Sequence, residues 1–194
     1  KGMWACGLDP KVLPEIENYV MGSRDTLEDL PSETFRPKQI LYDADEAQKM
    51  DIPAISSLLR HEASHAKETD FRLMFEGQRH AKDEGYLPSS FWMLFEGIED
   101  PRVNNREGDI SPAIDRLIRG EHDKILAKRM ATEDFSNYPK SMQYAFTGLH
   151  YWLHDEPLPK MDPMVKEAFD QSRGLLDRYF TNTDPTERKE LQNQ

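Results

Sequence analysis

Apolar residues recur at helical spacing through most of the chain, and short segments rich in proline, glycine and acidic residues separate these runs. Ile52, Ile55, Leu58 and Leu59 share one face of a helix and predict a helix from Asp51 to about Thr69. Similar apolar runs follow capping or proline residues and predict further helices, which begin near Asp9-Pro10, at Ser89 or Ser90, and near Asp109, Tyr138-Pro139 and Asp162-Pro163. The pattern predicts a mainly α fold.

Strand signals are confined to the first quarter of the chain. The segment from Phe35 to Tyr42 favours a short strand, and Pro37 limits it to the edge of a small sheet. We therefore expect three parts: an N-terminal wrapping segment at 1–50, a helical domain at 51–182 and a polar tail at 183–194.

Two residues inside apolar runs predict helix ends. Gly120 is expected to close the helix that starts near Asp109, with another helix starting near His122. Pro101 is expected to break its helix, or to start a new one capped by Asp100, because proline lacks the N–H that an interior position donates.

The predicted helix at 51–69 carries the clearest chemical signal, His61-Glu62-Ala63-Ser64-His65. Histidines at positions i and i+4 lie on one face of a helix, so both imidazoles can bind one metal ion. Zinc held by two histidines and a carboxylate keeps a position for water, and the adjacent Glu62 can act as general base toward that water. The sequence therefore predicts a zinc site on His61 and His65 with Glu62 as the catalytic residue.

A third protein ligand is expected from the acidic residues of the helix near residue 96. In one arrangement Glu96 binds the metal and Asp100, one turn later, hydrogen-bonds a ligand histidine from the second shell. In the other, Glu99 is the ligand, and Asp100 and Arg102 form the supporting network. The residues alone leave both arrangements open.

Composition narrows the classes of partner. The 194-residue chain carries a net charge of -11, which opposes binding to nucleic acid and to anionic membranes. Cys6 is the sole cysteine, so no internal disulfide forms. No apolar run approaches the ~20 residues of a membrane span, no signal-peptide pattern is present, and a cytoplasmic protein is expected.

Two segments together resemble a known family. His61-Glu62-x-x-His65, followed about thirty residues later by a Glu-Asp helix, is similar to the gluzincin zinc metallopeptidases. More narrowly, Leu94 to Val103 resembles the Glu-Asp-x-Arg segment of metallopeptidase-like domains associated with von Willebrand A and cobaltochelatase CobT-type proteins. The resemblance covers about residues 52–106.

That resemblance implies a helical zincin domain with zinc on His61 and His65, Glu62 as general base and Glu99 as third ligand. The leading hypothesis is a zinc-dependent peptidase acting on a protein or peptide. The alternative is a zinc-containing interaction domain, weakly active or inactive, that works beside an AAA+ ATPase or a von Willebrand A module. A donor for the oxyanion is sought among the clustered residues Tyr144, His150, Tyr151 and His154.

Overall fold

The computed structural model of the chain describes residues 4–182, 184 and 187 and shows a mainly α protein. Its backbone divides into two compact units, Lys1–Trp92 and Met93–Gln194. The boundary expected at residue 50 lies inside the first unit. Apart from Asp184 and Glu187, the predicted tail at 183–194 lies outside the described residues.

The first unit combines a small sheet with helices. Strands β1 (Trp4–Gly7) and β2 (Gln39–Tyr42) pair antiparallel, with Trp4 opposite Tyr42 and Gly7 opposite Gln39. The small sheet expected from the sequence is confirmed, although β2 is shorter than the predicted strand because a 3-10 helix occupies Ser32–Phe35.

The helices of the first unit are α1 (Leu13–Val20), α2 (Ala44–Ala47), α3 (Ile52–Glu68) and α4 (Phe71–Asp83). Helix α3 contacts both strands, and α1 contacts α4. Buried apolar side chains fill this unit: Leu8, Ile16, Val20, Leu27, Phe35, Phe71, Met74 and Phe75.

Long helices build the second unit. The boundary between the units falls within α5 (Pro88–Gly108), and α6 (Pro112–Thr132), α7 (Lys140–His154) and α8 (Pro163–Thr181) follow. Helix α7 packs on both α6 and α8. The larger apolar cluster of this unit consists of Ile118, Tyr151, Trp152, Phe169, Leu176, Tyr179 and Phe180.

Both helix breaks expected in this part of the chain are wrong. Helix α5 continues through Pro101, and α6 continues through Gly120. Pro101 and the three residues after it are buried, so packing offsets the hydrogen bond that proline cannot make. Gly120 costs α6 only about 1 kcal/mol, less than burial of Ile118 and Leu126 contributes to keeping the helix continuous.

Among the residues that the structure describes, no helix combines the length and the apolar character needed to cross a membrane.

Candidate metal site

Local signals in the sequence set both ends of α3. The Asp51 carboxylate accepts a 2.9 Å hydrogen bond from the backbone N–H of Ala54, and Pro53 lies in the first turn. At the other end the N–H of Thr69 donates to the carbonyl of His65 at 3.0 Å. The predicted helix is therefore confirmed, with Asp51 and Thr69 as its cap residues.

The buried side of α3 is polar. Its fully or nearly buried residues are Ser57, His61, Glu62, Ser64 and His65. Two of the apolar residues that predicted the helix are exposed to solvent instead: Ile52 is 80% exposed and Leu59 is 41% exposed. Burying a polar group costs free energy unless that group finds a partner. A helix that buries two imidazoles and a carboxylate therefore requires a reason other than hydrophobic packing.

The two imidazoles of the motif converge on each other. Nε2 of His61 lies 3.3 Å from Nε2 of His65, and the rings are perpendicular with centroids 4.6 Å apart. Two nitrogen ligands at about 2.0–2.1 Å from a tetrahedral zinc ion lie about 3.3–3.4 Å apart. The distance between the two Nε2 atoms therefore matches the distance between two nitrogen ligands of a tetrahedral zinc site.

Thr69 contacts one of these rings. Nδ1 of His65 lies 2.9 Å from the Thr69 hydroxyl, so the second ring nitrogen has a partner within its own helix end. Sequence reasoning did not single out Thr69 and offered Asp100 as a hydrogen-bond partner for a ligand histidine. The available signal was the i, i+4 spacing from His65 to Thr69, which brings the two side chains to one face of the last turn.

Glu62 is buried, at 6% exposed, next to the histidine pair along the helix. Within the part of the chain that the structure describes, its carboxylate makes no hydrogen bond or ion pair. The hydroxyl of Ser57, one turn before His61, is also buried without a hydrogen-bond partner there. Buried polar groups in native proteins are nearly always satisfied, and the exceptions often lie at catalytic or water-binding positions. Glu62 is thus not taken up by a structural contact.

The acids proposed as third ligand lie on α5, in the second unit, and they differ in environment. Glu99 is 1% exposed and forms an ion pair with Arg102. Its Oε1 accepts a 2.7 Å hydrogen bond from Nη2 of Arg102, and its Oε2 accepts a 2.8 Å hydrogen bond from Nε. Oε2 also accepts a 2.6 Å hydrogen bond from the Tyr179 hydroxyl on α8. Both oxygens of Glu99 therefore take part in a buried network of this unit.

Glu96 and Asp100 are one turn apart and only half-buried. Both line a cavity of about 260 Å³ in the second unit, together with Arg129. The rest of its wall is mostly apolar and consists of Met93, Gly97, Met142, Ala145, Phe146 and Leu149. Arg129 pairs with Glu133 at 2.9 Å and stacks over the Phe146 ring. Glu96 and Asp100 thus share a cavity wall, while Glu99 belongs to the buried network.

The four candidate oxyanion donors all have partners inside the second unit. The hydroxyl of Tyr144 bonds Ser172, and that of Tyr151 donates to Asp177. The remaining two bond through ring nitrogens, His150 to the carbonyl of Glu156 and His154 to the carboxylate of Asp123. Burial raises the pKa of the Tyr144 and Tyr151 hydroxyls above the ordinary value of tyrosine.

Comparisons of the chain with protein-family models, with curated proteins and with solved structures found no match. The resemblance to the gluzincin metallopeptidases accordingly rests on the residues quoted for it.

Proposed function

We propose that this protein is a zinc-dependent metallopeptidase with zinc on His61 and His65 and with Glu62 as the general base. The observation that carries the proposal is the 3.3 Å separation of the two Nε2 atoms on the buried side of α3. The buried Glu62 carboxylate, which no described residue binds, supports the same assignment.

For the third ligand we propose a carboxylate of Glu96 or Asp100, in preference to that of Glu99. Glu99 balances the charge of Arg102, a side chain that is also 1% exposed, and moving its carboxylate to a metal would leave that guanidinium buried and unpaired. Such a loss costs about 3–5 kcal/mol. Glu96 and Asp100 are only half-buried and line a cavity. Since Thr69 bonds Nδ1 of His65, Asp100 is not required to orient that ring.

Zinc and Glu62 have different roles in the proposed hydrolysis of a peptide bond. Zinc, when bound, lowers the pKa of its water to about 7. Glu62 accepts a proton from the attacking water at a carboxylate oxygen and donates it to the nitrogen of the departing amine. The proposed substrate is a protein or a peptide.

Metal content tests the site directly. We expect about one zinc per chain by inductively coupled plasma mass spectrometry of the zinc-loaded protein, and almost none in His65→Ala. Absence of zinc from the parent after incubation at neutral pH would overturn the proposal. Glu62→Gln is expected to retain zinc and to cleave no member of a peptide library that the parent cleaves, since an amide cannot accept the proton.

A second function is favoured by the partners of the four candidate oxyanion donors. Tyr144, His150, Tyr151 and His154 are each bonded to another residue of the second unit, so none is preset to stabilise an oxyanion. This observation favours a zinc-containing interaction domain, and the resemblance stated for Leu94 to Val103 suggests an AAA+ ATPase or a von Willebrand A module as its partner. Zinc-dependent binding to such a partner, without cleavage of any library peptide by the parent, would select this alternative.

A further inference from the structure

Thr69 makes a side-chain contact that the motif does not include. Its hydroxyl oxygen lies 2.9 Å from Nδ1 of His65, which lies in the last turn of α3, while Thr69 is the C-cap residue of that helix. We propose that Thr69 is a positioning residue of the metal site, accepting a hydrogen bond from Nδ1–H of His65 and so leaving the lone pair on Nε2. The inference rests on the proposed zinc site and adds a residue to it.

The backbone holds the Thr69 hydroxyl at this place. Thr69 is the residue at which α3 ends, and its N–H donates to the carbonyl of His65 at 3.0 Å. Two hydrogen bonds therefore join the same two residues, one through the backbone and one through the side chains. Together they fix the distance from the hydroxyl to the ring.

The direction of the side-chain bond determines which nitrogen is available to a metal. A neutral imidazole carries one proton, so a proton on Nδ1 leaves Nε2 as the atom with a lone pair. Nε2 is also the atom that faces His61 at 3.3 Å. In the proposed direction, with the Thr69 hydroxyl as acceptor, the lone pair of His65 lies on Nε2 and points toward the proposed ligand partner.

Residues that orient a metal-binding histidine contribute to affinity without touching the metal. Loss of such a partner typically weakens metal binding by about 10- to 100-fold. A hydroxyl as the acceptor is weaker than a carboxylate, because it carries no charge. We therefore expect removal of the Thr69 hydroxyl to weaken zinc binding toward the lower end of that range.

The test compares Thr69→Val, which keeps the shape and removes the hydroxyl, with Thr69→Ser, which keeps the hydroxyl. Thr132→Val is the matched control: Thr132 ends α6, and its hydroxyl donates to the carbonyl four residues earlier. Zinc affinity is measured by competition with a chelator. We expect an approximately 10-fold loss in Thr69→Val, with Thr69→Ser and Thr132→Val close to the parent. Parent-like affinity in Thr69→Val would overturn the proposal.

Nitrogen-15 NMR of the metal-free protein gives a second readout that does not depend on zinc. We expect the His65 proton on Nδ1 in the parent and a shift toward Nε2 in Thr69→Val. A proton on Nε2 of His65 in the parent would overturn the role of Thr69. A parent that binds no zinc would defeat the proposed function, while the NMR result would still decide whether Thr69 sets the tautomer.

Discussion

The hydroxyl of Tyr179 donates a 2.6 Å hydrogen bond to Oε2 of Glu99 and joins α8 to α5 within the second unit. Both residues are almost fully buried. The contact adds a hydrogen bond to a carboxylate that already accepts two from Arg102. It supports the proposal that Glu99 is a structural residue rather than the third metal ligand.

Tyr179→Phe is expected to destabilise the protein without affecting zinc. Loss of a hydrogen bond to a buried charged group costs about 1.5–3 kcal/mol, measured as the free energy of unfolding in urea. Tyr138→Phe is the control, since Tyr138 donates to the more exposed Glu133. An equal loss of stability in both variants, or loss of zinc from Tyr179→Phe, would contradict the structural role of Glu99.

Substitutions of Glu96, Glu99 and Asp100 on α5 are expected to differ in their effect on zinc affinity. Glu99→Gln should lower stability by about 3–5 kcal/mol, because it leaves the Arg102 charge unbalanced, while the folded protein still binds zinc. Glu96→Gln or Asp100→Asn should weaken zinc binding with little change in stability. Chelator competition on folded samples measures the affinities, and circular dichroism confirms folding. Retention of zinc by both of these variants, together with its loss from Glu99→Gln, would restore Glu99 as the ligand.

Capping and spacing were sufficient to predict the helix that carries the motif. Asp51 and Thr69 bound α3 as expected, and Asp162 caps α8 through a hydrogen bond from the N–H of Met164. Pro101 and Gly120 misled because a local preference of about 1–3 kcal/mol is smaller than the burial gained by a continuous helix. Capping residues, proline and glycine predict helix boundaries correctly where packing does not favour a continuous helix.

The chemistry of the candidate site was only partly predictable. A motif fixes residue types at a spacing, so the convergence of His61 and His65 followed from helix geometry. The hydrogen bond from Tyr179 to Glu99 joins residues 80 positions apart, and no spacing rule reaches that far. Thr69 acts through the direction of one hydroxyl, which the identity of a residue does not specify.

Two glycines in helices are expected to respond in opposite ways to alanine. A Cβ at Gly97 would lie 2.5 Å from both Cα and Cβ of Ala145, so α5 and α7 must separate in Gly97→Ala. Such overpacking costs about 1–3 kcal/mol. A Cβ at Gly120 meets nothing within 4 Å, and Gly120→Ala is expected to gain about 0.5–1 kcal/mol. Urea unfolding measures both, and a destabilised Gly120→Ala would show that α6 does not continue through this residue.

Zinc is expected to raise the melting temperature of the parent but not of His61→Ala. A ligand that binds only the folded state contributes about 2.7 kcal/mol at 100 times its Kd, which corresponds to roughly 5–10 °C for a chain of this size. His80→Ala is the control, because His80 is an exposed histidine on α4. Calorimetry with zinc, and again after excess chelator, should show a reversible shift in the parent and in His80→Ala. A shift of the same size in His61→Ala would mean that zinc stabilises the protein through other residues and would remove His61 from the site.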